Sequence, residues 1–148
     1  MKTKNFEPSF QMITNSLSEI NINNTIINIS DSDDLSRQFS IDIKELSIEP
    51  DEEVKLANLA VEIRVLIEEN NSDSPKKFDA KIVINGVFTD NINVSEDEFT
   101  DKLKINGVAA LYSIARGCIT NISAQTLASG KIVLPLVNFI EAAKSISE

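Results

Sequence analysis

Few side chains in this sequence can do covalent chemistry. Histidine and tryptophan are absent, and cysteine occurs once, as Cys118. Without histidine the usual general base and proton shuttle is missing, and a thiolate at Cys118 has no imidazole to form it. Zinc sites built from His and Cys are ruled out, as is an intramolecular disulfide. Cys118 falls on the apolar stripe of a predicted helix, where its expected role is that of a small buried hydrophobe. Asp31, Asp33 and Asp34 form an acidic run. The glycine and distal glutamate that complete a calcium loop are missing at the needed spacing, so a solvated loop is expected there. The four glycines, at 86, 107, 117 and 130, are scattered, and no phosphate-cradling loop can form from them. The 23 acidic residues allow many carboxylate pairs, but none stands out for acid–base work. The expectation is a protein that is not an enzyme, holds no metal or cofactor, and works through its surfaces.

The 148 residues carry 14 basic and 23 acidic side chains, a formal charge of −9. That charge repels phosphate backbones and anionic lipid, so nucleic acid and membrane surfaces are poor partners. It favours solubility and partners with basic segments. No signal-peptide core follows the first residues, and no run reaches the length of a membrane span. With one free thiol, the cytoplasm is the expected compartment.

Surfaces need elements to carry them. Residues 1–9 are expected to form a flexible arm before one domain over 10–148. Ile20 and Ile22, then Ile27 and Ile29, alternate with polar neighbours, which predicts a first strand with a slip near Asn24. Phe39, Ile41 and Ile43 alternate likewise in a second strand, whose phase shifts to Leu46 and Ile48. A third strand over 54–68 places Leu59, Val61, Ile63, Val65 and Ile67 on one face, with Glu62, Arg64 and Glu68 on the other. A fourth, over 78–88, sets Phe78, Ala80, Ile82 and Ile84 against Val83 and Val87. Polar connections of hairpin length imply an antiparallel sheet.

The period then changes. Ser95-Glu-Asp-Glu98 is a capping box that opens a short helix to about Leu103. Asn106 is expected to cap a longer helix from Gly107 to Leu127, with Val108, Leu111, Ala115, Cys118 and Ile122 on its apolar face and Gly130 as its stop. A connector containing Pro135 leads to Asn138, the cap of a last helix over 139–147. The fold class is therefore α+β, a four-stranded antiparallel sheet with C-terminal helices packed on one face.

Between Lys104 and Lys131 only Arg116 is charged. A helix with its back in water normally carries several charges there. The back of this one is Ser113, Arg116, Thr120 and Ser123, groups that can be buried when partnered. This stripe is expected to face a second subunit.

Several motifs resemble the SecB family of protein-export chaperones. Ala115-Arg116-Gly117-Cys118-Ile119-Thr120 is similar to that family's helix motif, and Leu134-Pro135-Leu136-Val137-Asn138-Phe139 to the signature before its last helix. Phe10-Gln11 with Glu19-Ile20 fits the family's first strand, and Phe78 with Gly86-Val87-Phe88 its fourth. The resemblance spans about residues 10–146. There are departures: Tyr112-Ser113-Ile114 replaces Phe-Pro-Tyr, and Asn23 and Lys81 stand where acids are common. The acidic C-terminal tail is also missing.

The resemblance implies a homotetramer, a dimer of dimers, that holds unfolded polypeptides in apolar grooves without ATP. Its clients would be chains for export or a dedicated client such as an antitoxin. Client-binding residues by this analogy are Ile20, Ile22, Phe39, Ile41, Ile43, Phe139, Ile140, Ala143 and Ile146. Glu19 matches a position that docks the SecA motor, although Lys81 reverses the charge beside it. The competing expectation is an oligomeric scaffold of the same fold without general chaperone activity.

Overall fold

The computed structural model describes residues 9–26 and 34–146, except the side chains at 143, 145 and 146. The arm over residues 1–8, Ile27, Ile29, Asp31 and Asp33 lie outside the described residues. Four strands come first: β1 (Gln11–Asn24), β2 (Leu35–Glu49), β3 (Val54–Glu69) and β4 (Lys77–Asn91). Helix α1 (Glu96–Lys102) follows, then a π-helical turn (Leu103–Gly107), α2 (Val108–Thr126) and α3 (Phe139–Ile146). The strands form one antiparallel sheet in the order β1-β4-β3-β2.

The order follows from side-chain polarity. β3 and β4 are the most apolar strands and take the centre, where one face meets the helices. β1 and β2 are rich in Ser, Asn, Asp and Glu and take the edges. β1 therefore pairs with β4 and not with its sequence neighbour β2, so the connection after Asn24 leads across to the far edge. Its two flanks are held: Lys77 N donates to Thr25 Oγ1 at 2.9 Å, and the Asn70 and Asn71 amides donate to Asp34 at 2.8 and 3.0 Å. The slip expected near Asn24 is instead the end of β1. The irregularities of this strand fall earlier, at 12–14 and 17–19, where an extra residue turns Ile13 and Ser18 out of register. The phase shift expected in β2 is present, between Ile43 and Glu45.

Across the sheet the register aligns apolar rows on one face. Ile20, Ile82, Ile63 and Ile41 form one, and Ile22, Ala80, Val65 and Phe39 the next. The central members of both rows have essentially no exposed surface; each buried Ile contributes about 2–3 kcal/mol of hydrophobic stabilisation. α2 packs on β3 and β4. Its close approach needs Gly86, since a Cβ there would stand 2.9 Å from Leu111 Cδ2 and 2.7 Å from the Phe88 ring.

Ser95 caps α1 as expected, its hydroxyl accepting from Glu98 N at 3.1 Å. Asn106 caps nothing. It lies inside the π-helical turn, and the chain runs helical from α1 to α2 because Leu103 and Gly107 are both buried within it and Gly107 keeps a right-handed conformation. The buried line of α2 is Val108, Leu111, Tyr112, Ala115, Ile119 and Ser123. Cys118 and Ile122 are only half-buried, because after Ala115 the inward face advances by four residues and not by three. α2 ends at Thr126 with Leu127 extended, ahead of Gly130. Gly130 instead supplies a positive φ of 86°, which glycine adopts without steric cost. Asn138 caps α3 as expected, its side chain accepting from Ile140 N at 3.2 Å.

Candidate functional site

Beyond a β-bridge at Ser129, the connector between α2 and α3 is irregular, so other groups must satisfy its backbone. Side chains of α2 do this. Ser123 Oγ accepts from Ile132 N at 2.7 Å. Arg116 Nε donates to Leu134 O at 2.8 Å, and the Tyr112 hydroxyl donates to Pro135 O. Burial pushes the Tyr112 phenol up, with Arg116 opposing, so the hydroxyl keeps its proton and stays a donor. Residues 112, 116 and 123 recur at helical spacing and run along one side of α2.

Two residues of the predicted interface stripe bond within their own chain. Ser123 is fully buried against the connector, and Arg116 finds its carbonyl partner in its own chain. Ser113 is exposed and Thr120 half-buried. Their hydroxyls bond back to Ala109 O at 3.0 Å and Arg116 O at 2.9 Å, a local arrangement that leaves the helix surface neutral. Gly117 and Asn121 share that open side.

The strapped connector and α3 stand away from the sheet at the β2 edge, leaving an apolar groove of about 410 Å³. Phe39, Ile41 and Ile63 form its sheet side, and Tyr112, Leu134, Val137 and Phe139 face them. Phe139 packs edge-on to Tyr112 with ring centroids 5.4 Å apart. Ser40 and Lys104 bring the few polar atoms, a composition suited to apolar ligands with limited polar contact.

Of the predicted binding residues, Phe39, Ile41 and Phe139 converge on this groove. Ile43 lies one step along β2 and packs on the core. Ile20 and Ile22 belong to the same apolar rows but at the opposite edge, where Ile20 is 46% exposed beside Leu17 and Ile13. Ile140 is exposed on α3 away from the groove lining. The side chains of Ala143 and Ile146 lie outside the described residues. Val108, Tyr112, Val137 and Lys104 were not singled out from sequence as groove residues. Their only sequence signal is position: Lys104 is the last charge before Arg116, and Val137 immediately precedes the cap of α3.

Glu19 is on the other face of the sheet, opposite Val83. Its carboxylate is 2.8 Å from Lys81 Nζ, which also lies 3.9 Å from Glu62. Arg64 stands 3.5 Å from the same Glu62, so this face is charge-compensated where the resemblance would place acids alone. Among the described residues, no cluster of His, Cys, Asp or Glu has the makings of a metal site, and no helix is long and apolar enough to cross a membrane.

No protein-family model matches the sequence, and no curated protein matches it. Among solved structures, the chain is similar to a SecB-like chaperone of Mycobacterium tuberculosis in complex with a ChAD peptide from the HigA1 antitoxin. The TM-score is 0.60 at 15% identity, covering 88% of this chain and 91% of that one. A protein of unknown function from Streptococcus agalactiae aligns at a TM-score of 0.45 and 8% identity, over 86% of this chain and 97% of that one. The four-stranded antiparallel sheet with its C-terminal helices is thus the fold of a SecB-like chaperone, shared at 15% sequence identity.

Proposed function

We propose that this chain is a holdase chaperone that binds extended apolar segments of non-native polypeptides without ATP. The observation that carries this reading is the convergence of Phe39, Ile41 and Phe139 on one open apolar groove. An unfolded segment can bury side chains there, and each buried apolar side chain adds about 1.5–3 kcal/mol. Several weak subsites along one client multiply through effective concentration, and the apolar strip at the β1 edge, with Ile20 and Ile22, is a second such subsite. Binding the unfolded state holds it back from aggregation by mass action. A dedicated client is favoured over general export. The structural neighbour carries an antitoxin peptide, and Lys81 already occupies Glu19, the position that would meet the SecA motor. The lone free thiol fits the cytoplasm.

Assembly is part of the proposal. The open side of α2 carries the neutral Ser113, Gly117, Thr120 and Asn121 beside Arg116, which is already bonded to the connector, and suits contact with further copies of the chain. The stoichiometry implied by the resemblance is four.

The test is suppression of aggregation of a chemically unfolded substrate by wild-type protein and by Ile41→Asp and Phe139→Asp. Wild type should suppress aggregation, and each variant, folded by circular dichroism, should lose at least about tenfold in client affinity. An oligomer with no effect on aggregation would contradict the reading and fit a scaffold instead.

A further inference from the structure

Lys104 lines the apolar groove and is half-buried there. It forms no ion pair or hydrogen bond with any described residue. Lys102, two positions earlier, is paired with Asp90 at 2.8 Å and lies 3.8 Å from Glu98. Lys81 pairs with Glu19, and Arg116 with the Leu134 carbonyl. Lys104 is thus the cation of the groove lining and has no partner among the described residues. It sits in the π-helical turn Leu103–Gly107, and such turns are frequent at functional sites. The wider turn carries the chain from α1 to α2 and places both Lys104 and Val108 along the groove.

The ammonium group makes the groove discriminate. A wholly apolar client segment laid over it would strip water from an unpaired charge, or force the side chain to stretch out to solvent. A segment with a carboxylate beside its apolar side chains turns that cost into a charge-assisted hydrogen bond. A basic residue at the same place adds like-charge repulsion. The overall charge of −9 works against acidic clients only at long range, where salt screens it beyond about 8 Å. The local contact therefore decides.

We propose that the groove takes an extended peptide in which a Glu or Asp side chain directly flanks a large apolar residue, with Lys104 as the specificity-determining contact. This rests on the groove being the client site. The probes are three short labelled peptides, capped at both ends, with Phe and Leu at alternate positions. They differ only in carrying Glu, Gln or Lys beside the Phe. Fluorescence anisotropy should give wild-type binding in the order Glu, Gln, Lys, with about fivefold between the first two. Lys104→Gln should bind the Glu and Gln peptides equally, and Lys104→Glu should prefer the Lys peptide. Equal wild-type affinity for all three, with binding still abolished by Phe139→Asp, overturns the role of Lys104 and leaves the groove intact. Failure of every peptide to bind overturns the groove reading and this inference with it.

Discussion

The Asp90 side chain has no exposed surface yet remains charged. Burial alone would raise its pKa, but hydrogen bonds from Lys102, Ser9 and the Asn91 amide bring it below the ordinary 3.8. The same contact raises Lys102, against its own desolvation. Because Asp90 is lowered on folding, its stabilising contribution is present above the ordinary carboxylate value and is lost as pH falls through the folded one. The contribution of Lys102 is present below the ordinary lysine value and is lost only as pH rises past the folded one. Lys102→Met leaves a buried carboxylate unpaired and should cost about 3 kcal/mol at neutral pH in urea denaturation. Asp90→Asn should flatten the acid limb of stability against pH; an unchanged limb would remove Asp90 from the account. Asp90 was legible in part, since the alternation that buries Phe78, Ala80, Ile82 and Ile84 reaches it in phase. Its partner was not, because nothing local links β4 to α1. Gly86→Ala should cost about 1–3 kcal/mol by forcing Leu111 and Phe88 apart. A neutral substitution would mean that α2 can shift freely on the sheet.

At the scale of elements, the connector is the part the sequence hid. Its run of apolar residues and Pro135 announced a break between helices, but not that α2 would hold its backbone. Ser123 looked like one of four surface polar residues because its position on the helix differs only slightly from theirs. What separates it is the chain returning past it at Ile132. Ser123→Ala leaves the Ile132 amide buried without its acceptor and should cost about 1–3 kcal/mol. Amide exchange over 131–138 should speed up while β3 and β4 stay protected. Unchanged exchange there would show that apolar packing of Ile132 and Leu134 alone suffices. The strands and the caps at Ser95 and Asn138 were legible because alternation and capping are local signals. Asn106 misled for the same reason: a capping residue in the right place was overruled by burial of its neighbours Leu103 and Gly107.

At the scale of the whole molecule, the sheet gives two faces with different tasks. One is charge-compensated around Glu62, Lys81 and Glu19. The other carries apolar rows whose ends emerge at both edges. Fold class could be read from the sequence because β3 and β4 announce themselves as the central pair. The assignment of β1 to β4, and hence the separation of Ile20 from Ile41, required the tertiary pairing. Assembly can be tested at Gly117, where an added Cβ meets no atom within 4 Å. Gly117→Arg should keep the fold and lower the mass in light scattering from a multiple of 16.3 kDa to a single protomer. A wild-type protein that is already a single protomer would contradict the proposed contact.

The groove itself is tested most directly by amide hydrogen exchange with and without a saturating unfolded polypeptide. The account predicts added protection at residues 37–43 of β2 and at 134–142, with the central strands β3 and β4 unchanged. Protection absent from both segments at saturation would contradict it.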